Sequence, residues 1–399
     1  MASFRETLRR TTGPLLGLRL VGQGAEFLAI VVFARRLGPA MFGAFSVAYL
    51  ICRYLGILAD WGATIHGSRQ VAASATESEI GGLIRWRQIT TGCAMAVYVV
   101  GSVAVGHPEV AILGVTIAGR GLSRDWLALG RGSGGRAGLP QVVQGVLGLT
   151  GAMLVHSVAG ASWTMATVAG AALALSLALN RAPRPTGSVR VEQGWYVMVL
   201  LADQVYATAD VVLLSLLRSN SEAGIYGAVY RFPNAWITVQ GLIIAGVLPW
   251  VSRTLADHPE RIAELRRRGL RLGAKLSMGA LAFIPVAVLL CPVVFGPEYR
   301  PGRPALAILL LATAVSAVAA PIQPIYFAVG NERHLAWWCL LTAFVNIAGN
   351  LLLIPHLGAA GAAGVTLCSQ LMIAGFLLVT TRRIAHRHAP GAAMVSAHG

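Results

Sequence analysis

The stretch LLADQVYATADVVLLSLL, residues 200–217, decides the fold class. It is apolar and close to the length of about 20 residues that a membrane-spanning helix needs, yet it contains Asp203 and Asp210. Because a carboxylate in the bilayer centre is costly, intramembrane acids generally face protein or water and mark functional positions. The two residues are seven positions apart and so lie on nearly the same face of a helix. The stretch therefore predicts a transmembrane helix with an acidic stripe.

The remaining sequence is similarly apolar. Of its 399 residues, 56% are hydrophobic and only 12% are charged, which lies outside the range of soluble globular proteins. We find about twelve apolar stretches of span length, and together they predict an all-α polytopic membrane protein. The predicted spans are 14–34, 40–59, 89–106, 109–129, 140–159, 162–180, 196–217, 226–250, 274–295, 304–327, 334–354 and 360–380.

The basic residues are unevenly distributed between the two sides of these spans. If the N-terminus is cytoplasmic, 22 of the 32 Lys and Arg residues fall on the cytoplasmic side and 5 on the outer side, with 5 within spans. This is the bias of the positive-inside rule. It predicts an even number of spans with both termini cytoplasmic. The preference for arginine over lysine and the abundance of alanine and glycine suggest a bacterium of high GC content, so the predicted location is the bacterial cytoplasmic membrane. The net charge of +16 then needs no nucleic-acid partner.

Enzyme signatures are weak. The only lysine, Lys275, does not complete a phosphate-binding loop, and GRGSGGR (130–136) follows a predicted span rather than a strand. The five cysteines lie in or beside apolar spans without metal-binding spacing. The sequence thus predicts no catalytic residues, no metal site and no cofactor.

The chain is organised as two halves. RAPRPTGSVRVEQG (181–194) is the clearest polar linker, and the similar triplets FGA (42–44) and YGA (226–228) are offset by 184 residues. We therefore predict two pseudo-symmetric six-helix lobes, residues 1–190 and 191–399, related by an axis along the membrane normal. Small-residue patterns such as that of Gly13 and Gly17 predict close helix contacts.

Charged residues inside the other spans also fall on stripes. Arg19 and Glu26 are seven apart, as are Arg53 and Asp60, and Arg120 and Arg124 are four apart on the predicted fourth span. Ion pairs between helices are one explanation, and snorkelling to the interface is another, especially for Asp60. The functional alternative is a hydrated cavity lined by arginines, whose planar guanidinium groups suit phosphate.

Several motifs resemble those of a known family. Its N-terminal pattern is matched by FARRLGPAMFGAFSVAY (33–49) and LADWGATIHGSRQVA (58–72). The C-terminal motifs follow in the family's order: SEAGIYGAVYRF (221–232), LPWVSR (248–253), FGPEYRPG (295–302), GNERH (330–334) and NIAGNLLLIPHLGAAGAAG (346–364). The chain resembles the polysaccharide exporters, the Wzx-type oligosaccharide flippases of the MATE-like MOP superfamily.

This resemblance implies a flippase that moves a polyprenyl-pyrophosphate-linked oligosaccharide across the membrane by alternating access, for surface polysaccharide biosynthesis. It implies substrate contacts at Arg19, Arg53, Arg120 and Arg124. Coupling to H⁺ or Na⁺, or pairing between the lobes, would involve Asp203, Asp210 and Glu26, of which Asp203 is the deepest in its span. Polysaccharide assembly proteins would be partners. The arginine-rich segment 253–275 would contact anionic lipid.

Two other functions remain open. A MATE-type, cation-coupled exporter of small molecules has the same fold, but cationic drugs favour an acidic cavity, and arginines outnumber carboxylates in the spans of the first half. A membrane-embedded glycosyltransferase or ligase ordinarily needs a large outer loop with acidic catalytic residues. The predicted outer loops are short, so this third function is disfavoured.

Overall fold

The computed structural model describes residues 13–72, 76–185, 194–328 and 332–387, and these contain helices but no strand. The α-helices in chain order are α1 Gly13–Asp60, α2 Ser68–Ala72, α3 Glu77–Ala104, α4 Gly114–Gly121, α5 Asp125–Gly130, α6 Gly134–Ala152, α7 Val158–Leu179, α8 Gly194–Leu217, α9 Asn220–Val229, α10 Arg231–Asp257, α11 Ile262–Phe295, α12 Arg303–Ala319, α13 Gln323–Ala328 and α14 Glu332–Arg387. A π-helical turn, Ala63–Gly67, precedes α2, and a 3₁₀ helix, Pro108–Leu113, precedes α4.

The two longest helices each bend sharply at a glycine. Gly38 in α1 has φ 68° and ψ 170°, and Gly358 in α14 has φ 55° and ψ −137°. Positive φ is readily adopted only by glycine, and Pro39 then begins the second half of α1 at a position where proline is tolerated. Each of these helices therefore supplies two of the predicted spans.

Helical segments of the described chain overlap all twelve predicted spans, but several boundaries differ, and α11 begins at Ile262, twelve residues before the predicted start at 274. The third segment begins at Glu77, twelve residues before the predicted start at 89. The fourth is interrupted, because α4 ends at Gly121 and α5 begins only at Asp125. By length and composition, five described helical stretches are apolar enough to cross a membrane: Gly17–Asp60, Val158–Leu179, Ile262–Phe295, Pro297–Tyr326 and Trp337–Ala385.

The chain packs as two compact units. The first comprises Met1–Ser215 with Ser219–Gly224, and the second comprises Leu216–Arg218 with Ile225–Gly399. Most of α8, including Asp203 and Asp210, therefore belongs to the first unit by packing. The predicted boundary between the lobes, at residues 190 and 191, lies in the segment 186–193, which is outside the described residues. The pseudo-symmetry of the two lobes stays a prediction.

Glycines bring helices of the first unit into close contact. A Cβ atom at Gly22 of α1 would lie 2.8 Å from the Gln141 carbonyl oxygen of α6, and one at Gly145 would lie 2.9 Å from the Ala25 Cβ. Close backbone approach is how transmembrane helices gain packing energy without a hydrophobic driving force. At Gly17, however, a Cβ would meet nothing within 4 Å, so this predicted small-residue contact is wrong.

The second unit has its own apolar core. Leu265 near the start of α11 packs with Ile322, Tyr326 and Phe376, and Trp338 stacks on Phe376 with ring centroids 4.7 Å apart. Ile262 and Leu265 of the arginine-rich segment are buried, and Leu272 is half-buried. The opposite side of this segment exposes Arg267, Arg268, Arg271 and Lys275.

The contact between Gly43 and Asn220 provides a test of this packing. A Cβ at Gly43 would overlap the Asn220 carbonyl oxygen and lie 2.9 Å from the Gly224 nitrogen. We expect Gly43→Ala to lower the free energy of unfolding by about 1–3 kcal/mol, as overpacking does. The measurement is the thermal unfolding midpoint in detergent. Gly24→Ala, on the same helix but with nothing within 4 Å, is the matched control, and equal midpoints for the two variants would contradict the contact.

Candidate functional site

A buried ion pair lies where α1 ends. Arg87 of α3 donates from Nη2 to Asp60 Oδ1 at 2.9 Å, and both side chains are only 3% exposed. The chain turns immediately after Asp60 through positive φ angles at Trp61 (49°) and Gly62 (72°). Thr64 then donates to the same carboxylate from its backbone nitrogen at 3.3 Å and its hydroxyl at 3.1 Å. Asp60 is therefore buried and paired, and the expectation that it snorkels to the interface is wrong.

Arg87 also holds the end of α4. Its Nη1 donates to the Ser123 carbonyl at 2.8 Å, and its Nη2 donates to the Arg120 carbonyl at 3.0 Å. Its guanidinium carbon lies 5.7 Å from the centroid of the Trp126 ring of α5, a cation–π distance. These carbonyls are at the end of a helix, where they lack partners within the helix. One arginine thus connects α1, α3, α4 and α5.

Arg87 is not among the site residues predicted from the sequence, because the predicted third span begins at residue 89 and leaves Arg87 in a cytoplasmic loop. A local signal was available: Thr76 and Glu79 form a capping box, with Glu79 accepting from the Thr76 backbone nitrogen at 2.9 Å and donating its own backbone N–H to the Thr76 hydroxyl at 3.3 Å. The pattern Thr-x-x-Glu marks a helix start. It places Arg87 within the third helix.

Arg120 lies in the last turn of α4, and its side chain is exposed. A Cβ built at Gly56 of α1 would lie 3.2 Å from Arg120 Cδ and 3.6 Å from its Cβ, so the aliphatic part of Arg120 covers this buried glycine. Arg124 lies beyond the end of α4. The prediction that Arg120 and Arg124 form a stripe on one helix is therefore wrong.

Arg124 has structural partners. Its backbone nitrogen donates to Ser176 Oγ at 2.8 Å, and its Nη1 lies 3.4 Å from the Asn180 carbonyl oxygen. Ser176 in turn donates to Asp125 Oδ1 at 2.6 Å. These bonds attach the start of α5 to the end of α7. The predicted substrate contact at Arg124 stays a prediction.

Arg53 joins α1 to α8 through neutral groups. Its Nη2 donates to Gln204 Oε1 at 3.1 Å, and the hydroxyls of Tyr54 and Thr208 lie 2.8 Å apart. Gln204 also donates from Nε2 to Thr208 Oγ1 at 3.2 Å. Gln204 and Thr208 were not singled out from the sequence, because neutral polar residues in an apolar run give no distinctive signal.

Arg53 and Arg120 differ from Arg87 in how their charge is balanced. In the part of the chain that the structure describes, neither is ion-paired to a carboxylate, whereas Arg87 is. Arg53 lies within electrostatic range of Arg120, and so does Asp60, whose carboxylate is bonded to Arg87. Both guanidinium groups can therefore donate to an anion.

The remaining predicted site residues lie on two helices. Asp203 and Asp210 both lie on α8; the Asp203 side chain is outside the described residues, whereas Asp210 is 2% exposed and within electrostatic range of Tyr54. Arg19 and Glu26 are half-buried in the first half of α1, and Arg19 is within electrostatic range of Asp125. Their predicted roles in substrate binding and coupling stay predictions. Among the described residues, no group of three potential metal ligands occurs.

The ion pair between Asp60 and Arg87 should contribute to the stability of the folded protein. Removing one partner leaves the other charge buried and unpaired, which costs about 3–5 kcal/mol. We expect Arg87→Met and Asp60→Asn each to lower the thermal unfolding midpoint in detergent, and the double variant to lose less than the two single losses combined. Arg136→Met, at an exposed arginine of α6, is the control. Strictly additive losses would show that the two side chains do not interact.

Comparison with proteins of known structure identifies the fold. A multidrug-resistance MATE-family transporter of the MOP superfamily, in its inward-facing conformation, superposes with a TM-score of 0.67 and 13% identity, covering 94% of both chains. A MOP-superfamily transporter from Pyrococcus furiosus gives 0.66 and 13% over 96% of both. The lipid II flippase MurJ, in an inward closed conformation, gives 0.62 and 10% over 94% of this chain and 90% of that one.

A distant relative is found by sequence. The succinoglycan biosynthesis transport protein ExoT of Rhizobium meliloti (strain 1021) is 24% identical over 349 residues, which span 80% of this chain and 69% of ExoT. No known family profile matches the chain. Over nearly its whole length the chain therefore has the fold of the MATE transporter and of MurJ, and several of its described helices are long and apolar enough to cross a membrane.

Proposed function

We propose that this chain is a membrane transporter of the MOP superfamily and acts as a flippase for a polyprenyl-pyrophosphate-linked oligosaccharide. It would receive the lipid-linked glycan at the cytoplasmic leaflet and release it at the outer leaflet by alternating access, with both termini cytoplasmic. The product would serve surface polysaccharide biosynthesis, where polysaccharide assembly proteins would act on it. Diphosphate is the part of this substrate that a cationic site would recognise most strongly.

The observation that carries the proposal is that Arg53 and Arg120 lie within electrostatic range of each other and that neither is ion-paired to a carboxylate among the described residues. Arginine in a membrane-spanning segment is costly unless it is paired or hydrated, and these two have no carboxylate partner among the described residues. A diphosphate provides several acceptor oxygens in the geometry that guanidinium groups bind best. We therefore propose Arg53 and Arg120 as the principal substrate contacts, with Arg19 and Arg124 further along the substrate path.

The names of two similar proteins support this substrate class. ExoT is a transport protein of succinoglycan biosynthesis, and MurJ is a flippase for lipid II. The second candidate is a MATE-type exporter of small molecules, which is favoured by the fold likeness to multidrug transporters. The neighbouring guanidinium groups of Arg53 and Arg120 would repel a cationic drug, which disfavours this second function.

Two further features complete the proposal. Asp203, or Asp210 on the same helix, would bind the coupling ion, H⁺ or Na⁺, with Glu26 as the alternative on α1. The exposed basic side of α11, at Arg267, Arg268, Arg271 and Lys275, would contact anionic lipid at the cytoplasmic surface, because each such residue adds about 1 kcal/mol of attraction.

The flippase function predicts a lipid intermediate. In a strain depleted of this protein, a polyprenyl-pyrophosphate oligosaccharide should accumulate, and mass spectrometry of extracted lipids measures it. Wild-type protein should remove the intermediate, whereas Arg53→Gln should leave most of it, because the variant loses one guanidinium of the diphosphate site. Arg136→Gln, at an exposed position of α6, is the matched control and should behave as wild type.

Absence of any accumulated intermediate, with intact surface glycan, would refute the flippase function. It would favour the small-molecule exporter, which can be tested by measuring drug susceptibility of the same strain. If Arg53→Gln removed the intermediate as efficiently as wild type, Arg53 would be excluded from the substrate path while the flippase function remained.

The coupling role of Asp203 predicts a change in pH dependence. Asp203→Asn removes a titratable group, so transport driven by a proton gradient should slow and lose its dependence on pH. The measurement is the initial transport rate in vesicles at several pH values, with Asp210→Asn as the comparison on the same helix. An unchanged rate and pH profile for Asp203→Asn would eliminate the coupling role of Asp203.

A further inference from the structure

We infer that Arg87 and Gly56 are positioning residues that hold Arg120 in place for a diphosphate group. This inference rests on the proposed function, because it gives a reason for the placement of one of the two proposed substrate contacts. Neither residue needs to touch the substrate. Arg87 fixes the backbone from which Arg120 extends, and Gly56 fixes the course of its side chain.

The backbone of Arg120 is held from the inside of the unit. Arg87 Nη2 donates both to the Arg120 carbonyl at 3.0 Å and to Asp60 Oδ1 at 2.9 Å, while Nη1 donates to the Ser123 carbonyl at 2.8 Å. Only a planar guanidinium presents donors in this fixed arrangement. A lysine could keep the charge beside Asp60, but its single ammonium could not hold all three acceptors in the same geometry.

The side chain of Arg120 is guided by α1. Gly56 is buried, and its hydrogen atom faces the Cδ, Cβ and Cγ atoms of Arg120, which would lie 3.2, 3.6 and 3.9 Å from an added Cβ. A larger side chain at position 56 would occupy the path of the Arg120 stem. Gly56 lies four residues before Asp60, which is about one helical turn of α1. The same turn therefore contacts the Arg120 side chain through Gly56 and binds Arg87 through Asp60.

The outcome is a preorganised pair of cations. Arg120 lies within electrostatic range of Arg53, which is itself oriented by Gln204 at 3.1 Å. Two guanidinium groups that are held in advance lose less conformational entropy when an anion binds. Displacing Arg120 should therefore weaken diphosphate binding even though its charge remains.

Binding of inorganic pyrophosphate to the purified full-length protein in detergent tests this inference. Isothermal titration calorimetry gives the dissociation constant for wild type, Arg120→Gln, Gly56→Val and Arg87→Lys. Gly24→Val, at an exposed position of α1 with nothing within 4 Å, is the matched control. The milder Gly56→Ala replaces Gly56→Val if the latter unfolds, and thermal midpoints establish that each variant is folded.

We expect Arg120→Gln, Gly56→Val and Arg87→Lys each to weaken pyrophosphate binding about tenfold, the size of one charge-assisted hydrogen bond. In the Arg120→Gln background, Gly56→Val and Arg87→Lys should have no further effect, because they act through Arg120. A merely structural role would instead add the same loss in both backgrounds.

The failures of this inference and of the proposed site are distinguishable. If wild type binds pyrophosphate and Arg120→Gln weakens it, but Gly56→Val and Arg87→Lys bind as wild type or add their full loss to Arg120→Gln, then the positioning role is overturned and the site stands. If wild type does not bind pyrophosphate, or Arg120→Gln has no effect, then the diphosphate site at Arg120 is overturned as well.

Discussion

The buried ion pair between Asp60 and Arg87 is the interaction on which the arrangement of the first unit depends. Two charges with side chains only 3% exposed are costly unless they are paired and make further hydrogen bonds. Thr64, Ser123 and the Arg120 carbonyl supply further partners, whereas Arg87 Nε is buried without a hydrogen-bond partner among the described residues. The pair therefore connects the end of α1 to α3 and to the end of α4.

The pair also distinguishes Arg87 from the other arginines of this unit. Arg87 donates to a carboxylate and to two carbonyls, whereas Arg53 donates to a neutral amide and the side chain of Arg120 passes over Gly56. These arginines therefore differ in their partners. Under the proposed function, a transported anion would reduce the cost of placing Arg53 and Arg120 in the membrane.

Hydropathy and local motifs predicted much of the fold because they report on properties of single helices. The all-helical class and most of the spans follow from apolar length, and the bends at Gly38 and Gly358 lie between predicted spans. Predictions were wrong where a contact between side chains or backbone of different helices determines the structure. The interruption after Gly121 depends on Arg87, and the burial of Asp60 depends on the same residue, which hydropathy had assigned to a loop.

Transport of a defined lipid-linked glycan in reconstituted vesicles tests the proposed flippase function most directly. Vesicles would contain the purified protein and a polyprenyl-pyrophosphate-linked oligosaccharide, and a membrane-impermeant glycan-modifying enzyme outside would report how much substrate becomes accessible with time. If the protein is a flippase, we expect all of the substrate to become accessible with the wild-type protein and only the outer-leaflet portion without it. If accessibility with the wild-type protein equals that of protein-free vesicles, while a small-molecule cation is transported, the flippase function is contradicted.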